Sequence, residues 1–153
     1  MLRIDVYKNQ LLTLTPNGLY HVIIQNDKLE KLHLNGYHII YNYPPTPALI
    51  NLPEGFYINL YDGSYSVWEN QSCILNERIE NDRLHYRFIK RNRYYVYKDD
   101  KYHLVNNKNA LLKLFGSKKR DLLQFMKQEH LNFNQYPAET IVKVVIHYEN
   151  LTR

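Results

Sequence analysis

The chain has 153 residues, 44% hydrophobic and 23% charged, with a formal net charge of +5; this balance excludes a disordered or collagen-like chain, and the length allows one domain with a real core. No apolar run approaches the roughly 20 residues that cross a bilayer as a helix. The single cysteine, Cys73, forms neither an internal disulfide nor a structural zinc site by itself.

Asn and Lys are abundant, but both belong to A/T-rich codons and carry little functional weight. The 15 tyrosines suit half-buried strands, where a ring packs on the pleated surface and its hydroxyl reaches water. Residues 1–10 alternate apolar and polar side chains and show no signal peptide. This reads either as a cytoplasmic start or as a point inside a longer protein.

From residue 2 to about 105 the pattern has period two, interrupted by short turn signals. Leu2, Ile4 and Val6 form a first strand, a turn follows at residues 8–10, and residues 11–14 return. Pro16-Asn17-Gly18 and Asn26-Asp27 mark the next turns, and Asn35-Gly36 is a strong hairpin signal between residues 29–34 and 37–41. The segment 43–53 holds four prolines and is a long connection. Strands resume at 55–61, then 64–69, 73–80, 84–90, 94–98 and 102–105, so ten or more short antiparallel strands are predicted.

After residue 106 the period becomes helical. Asn107 is placed to cap a helix reaching Phe115, Gly116 to end it, and Ser117 to cap a second helix ending near His130. Pro137 and Glu139 open a third, with Ile141, Val142, Val145 and Tyr148 on one side. The predicted fold is therefore α+β in a single domain, 1–153: an antiparallel sheet system over residues 1–105 and a C-terminal helical cap of two or three helices over 106–153.

Little in the residues points to catalysis. The seven histidines never occur as HxH, HxxxH or HExxH, and no phosphate-binding glycine loop or nucleophile elbow is present. His33 and His38 flank the Asn35-Gly36 turn and face each other if the hairpin forms; a metal site is one reading of the pair, and two exposed hairpin residues are the plainer one. Asp62, Asp99 and Asp100 lie at turn positions, where aspartate serves the backbone. No cofactor, metal or catalytic residue is assigned, and the reading leans away from an enzyme.

Charge is the asymmetric feature. Residues 81–130 carry 13 Lys and Arg against 5 Asp and Glu, clustered around Arg91, Arg93, Tyr94 and Tyr95 and at Lys118, Lys119 and Arg120. Arginine beside tyrosine suits phosphate contact and base stacking, so a cytoplasmic nucleic-acid binder using residues 89–120 is one reading. The same groups suit an anionic lipid surface or an acidic glycan, and Trp68 with the tyrosines suits a sugar ring. A solvated basic face and ordinary cross-strand pairs are the plain alternatives.

The stretch LPEGFYINLYDG (residues 52–63), followed by the hairpin and helices from RYYVYKDDKYHLV onward (93–151), resembles the second half of a family of Bacteroidota envelope or secreted proteins of unknown function. That resemblance implies a β-rich front half behind a signal peptide, a periplasmic or outer-membrane setting, and an envelope protein, glycan or lipid as partner. It transfers no catalytic residue. A sheet edge left open near residues 2–6 would favour self-association.

Overall fold

The computed structural model describes residues 2–25, 29, 31–34, 36–42 and 52–152. It shows an α+β fold with two sheets and three helices. The helices expected after residue 106 are present; the turn expected at Asn26-Asp27 and most of the proline segment, 43–51, lie outside the described residues.

The first sheet is a three-stranded antiparallel meander of β1 (Leu2–Asp5), β2 (Gln10–Leu14) and β3 (His21–Ile24), in that order. Its register sets Ile4 against Leu11 and Leu11 against Ile24, which buries Leu11 in the central strand. Asp5 makes the first turn, its Oδ1 accepting from the backbone N–H of Tyr7 at 3.0 Å and of Lys8 at 2.9 Å. β1 and β3 are the sheet's edge strands.

The second sheet has six strands in chain order: β4 (Leu32–Leu34), β5 (Tyr37–Asn42), β6 (Gly55–Tyr61), β7 (Val67–Glu80), β8 (Arg83–Lys98) and β9 (Lys101–Leu104). Nine strands are thus described where ten or more short ones are predicted. The predicted strands 64–69 and 73–80 merge into β7, of 14 residues, and 84–90 with 94–98 into β8, of 16. Asn70-Gln71-Ser72 and Arg91-Asn92-Arg93 fall between the predicted strands, yet a polar side chain interrupts a strand only when its backbone turns. Here Asn70 stays in the strand and its Nδ2 donates to Phe56 O at 3.0 Å.

The chain divides into two compact units, and the division does not follow the change of period at residue 106. Residues 1–57 and 70–92 form the first unit; residues 58–69 and 93–153 form the second.

In the first unit the Tyr41 and Phe56 rings meet edge to face, 4.8 Å apart. Tyr41 OH donates to Glu54 Oε1 at 2.5 Å. Gly55, at φ 146°, sits where an added Cβ would come within 3.1 Å of Asn70 Nδ2 and 3.3 Å of Asn9 Oδ1, so both its backbone angle and its surroundings call for glycine.

The second unit holds the larger core. α1 (Lys108–Leu114), α2 (Lys119–Gln128) and α3 (Pro137–Thr152) bury Leu111, Leu122, Met126, Ile141, Val144 and Val145 in one cluster with Val67, Tyr94 and Val96 of the strands. Asn107 caps α1 as predicted, its Oδ1 accepting from Ala110 N–H at 2.8 Å. Ser117 does not cap α2: residues Gly116–Lys118 form a 3-10 turn and the N-cap position falls on Lys118, which makes no side-chain cap bond.

Candidate functional site

The outer part of the β7–β8 hairpin is a strongly exposed element of the first unit. Every residue from Asn76 to Phe88 is exposed. Its tip, Asn81-Asp82, has both residues at positive φ (51° and 58°), the two-residue turn whose twist matches that of paired strands. Such a turn places Glu80 opposite Arg83. Carried inward, the same register places Ser72 opposite Arg91, and Ser72 Oγ indeed donates to Arg91 O at 3.3 Å.

This register sorts the arm's side chains onto two chemically different faces. One face carries Leu75, Ile79, Leu84, Tyr86 and Phe88, with Glu77 and Lys90 as its charges. Ile79 is 74% exposed, Leu84 50%, Tyr86 58% and Phe88 60%. At its base Phe88 meets Tyr7 edge to face at 5.3 Å, and Cys73 N–H donates to Val6 O at 3.2 Å. The opposite face carries Arg78, Arg83, Arg87 and Arg91 with His85, Asn76 and one carboxylate, Glu80, and has Ile74 and Ile89 near its base. A shallow groove of about 370 Å³ lies along the arm, lined by Asn76, Arg78, Glu80, His85 and Arg87 and reaching Tyr86. Glu80 pairs with Arg78 at 3.0 Å; among the described residues no ion pair engages Arg83, Arg87 or Arg91.

The sequence-predicted binding residues do not form one surface patch of this arm. Arg91 is on its arginine face, whereas Trp68, Arg93, Tyr95, Lys118, Lys119 and Arg120 belong to the other unit. Arg78, Arg83 and Arg87 are the arm's further arginines, and sequence reading missed them. Their signal is present: 83, 87 and 91 are spaced by four, so they share a face of any strand that runs through all three.

In the second unit, Tyr97 N–H donates to Ser66 O at 2.9 Å, and that register brings Trp68 opposite Tyr95 on the face turned away from Val67 and Val96. Tyr95 is only 4% exposed, so its ring is packed and offers no open stacking platform. Trp68 Nε1 donates to Ser66 Oγ at 2.9 Å. On the same face Tyr97 lies opposite Tyr102, with ring centres 5.0 Å apart, a cross-strand aromatic pair. Its hydrogen bond to Asp100, at 3.1 Å, holds the Tyr97 phenol above the ordinary tyrosine value; burial does the same for Tyr102. Lys119 and Arg120 are exposed at the start of α2, with Lys118 partly covered before them.

Among the described residues no group of three or more His, Cys, Asp or Glu side chains converges, and no helix is long and apolar enough to cross a membrane. No family model, curated protein or solved structure matches the chain.

Proposed function

We propose that this chain is a non-catalytic binding module of the bacterial envelope and that the β7–β8 arm is its binding element, docking on an anionic lipid surface. The observation that carries this reading is the arm's division into an uncovered aliphatic and aromatic face and an arginine face. The envelope setting rests on the resemblance of residues 50–151.

A bare two-stranded ribbon is marginal in water, and an exposed apolar face of this kind marks an interaction surface. At a lipid interface, Ile79, Leu84, Tyr86 and Phe88 enter the boundary between headgroups and acyl chains. Burying their exposed portions contributes about 4–7 kcal/mol. Tyr86 and Phe88 suit that boundary, the phenol reaching water while the rings stay in apolar surroundings. The arginines lie within a Debye length of the surface, and each basic group there contributes about 1 kcal/mol with anionic lipid. Long guanidinium side chains also reach past the ribbon's rim to phosphate.

The full chain should bind phosphatidylglycerol vesicles more tightly than phosphatidylcholine vesicles, with affinity falling as salt rises. Changing Arg78, Arg83, Arg87 and Arg91 together to glutamine should weaken binding to the anionic vesicles at least tenfold. Equal binding to both vesicle types, or an unchanged affinity in the fourfold variant, would overturn the reading.

A second reading is a nucleic-acid binder, favoured by the ribbon shape: a two-stranded β-ribbon fits the major groove, about 12 Å wide. It predicts tight, strongly salt-dependent binding to duplex DNA that survives Tyr86→Ser and Phe88→Ser. Lipid docking is instead lost in those two variants.

A further inference from the structure

The hairpin of β4 and β5 brings two histidines into direct contact. His33 and His38 are directly opposite each other in the register, one pair in from Leu34 and Tyr37. In a hairpin closed by two residues that position is a non-hydrogen-bonded pair, where side chains approach most closely. Their Nε2 atoms are 3.1 Å apart and their ring centres 3.9 Å apart.

The rings meet edge to face, with their planes 67° apart, and the two Nε2 atoms share one hydrogen bond whose donor depends on the tautomer.

Two exposed imidazole nitrogens held this close across a hairpin are within the span of a single metal ion, which would take the place of the proton they share. Metal–imidazole bonds are about 2.0–2.1 Å long, which puts two nitrogens on one ion about 3.4 Å apart at a tetrahedral angle and about 2.9 Å apart at a right angle. The observed 3.1 Å lies between the two. We infer that His33 and His38 form a two-histidine site for a divalent cation of borderline softness, such as Zn²⁺, Ni²⁺ or Cu²⁺, on the outer face of the β4–β5 hairpin.

Both rings then carry their proton on Nδ1, leaving both Nε2 lone pairs for the metal. No third His, Cys, Asp or Glu joins them among the described residues, and water is the ligand proposed for the remaining positions. Because the two strands already hold the ligands together, little freedom is lost when the ion binds. The inference is independent of the lipid-docking reading, which concerns other strands.

The test is calorimetric titration of the full chain with Zn²⁺ and with Ni²⁺. Both histidines are exposed, so His33→Gln and His38→Gln leave the fold intact, which thermal unfolding without metal verifies. The expected result is one equivalent of bound metal, with affinity lowered tenfold or more in each single variant. Metal should also raise the unfolding temperature of the native chain but not that of the double variant. Absence of binding at millimolar metal, or a loss of less than tenfold in either single variant, would overturn the inference, since the remaining histidines would then account for the metal.

Discussion

Replacing Phe115 by alanine is expected to destabilise the second unit by about 3–5 kcal/mol, the range for truncating a buried aromatic side chain. Phe115 is 1% exposed at the end of α1. Its ring lies 4.3 Å from that of Tyr148 on α3, and Tyr65 approaches edge-on at 5.9 Å. Tyr65 also meets Tyr148 at 5.3 Å, so the three rings form a closed cluster and alanine leaves a cavity on both remaining partners. Phe115→Leu keeps most of the volume and should cost less than half as much. Urea unfolding monitored by far-ultraviolet circular dichroism measures both; a loss below 1 kcal/mol for Phe115→Ala would show that this cluster does not hold the helices to the strands.

The second large effect is expected at Glu149, a carboxylate buried on α3. Its Oε2 accepts from Tyr61 OH at 2.5 Å and its Oε1 from Ser64 N–H at 3.0 Å. The side chain thus ties the last helix to the turn between β6 and β7. Glu149→Ala leaves a backbone N–H and a phenol without this acceptor and should cost about 2–4 kcal/mol. Glu149→Gln keeps the acceptor for Ser64 and should cost less.

Gly63 belongs to the same device. A Cβ there would collide with the Tyr61 ring, pushing the phenol off Glu149. Gly63→Ala and Tyr61→Phe should therefore be strongly non-additive, because each breaks the same bond. Additive losses would mean that the hydrogen bond contributes little.

Local chemistry made much of the fold legible. Asn107 reads as a cap because its side chain reaches a helical N–H, and it does so in the structure. Pro137 opens α3, where its missing N–H costs nothing. Asn35-Gly36 announces the hairpin that brings His33 opposite His38. Ser117 failed as a cap because the 3-10 turn at Gly116–Lys118 takes up the backbone groups that a side chain would otherwise satisfy. The length of β7 and β8 was hidden for a related reason. Period-two alternation shows that a segment is a strand but not where it stops, and from Asn76 to Phe88 both faces of the ribbon are exposed, so no buried position marks the broken strands as continuous.

The candidate site was legible only in part for the same cause. Arg91 was found through its local crowding with Arg93 and Tyr95, but crowding along the chain is not sharing a surface. Tyr95 is packed, and Lys118 to Arg120 lie on a helix of the other unit. What gathers Arg78 with Arg83, Arg87 and Arg91 is the strand register set by Asn81-Asp82, a two-residue turn recognised by its backbone angles. With β7 and β8 read as two broken strands each, that register could not be carried inward.

The central claim, that the arm is the binding element, is tested most directly by amide hydrogen exchange of the full chain with and without phosphatidylglycerol vesicles. The account predicts new protection confined to residues 74–91, with residues 118–128 and 137–152 unchanged. Protection centred on Lys118 to Arg120, with the arm exchanging as freely as before, would contradict it.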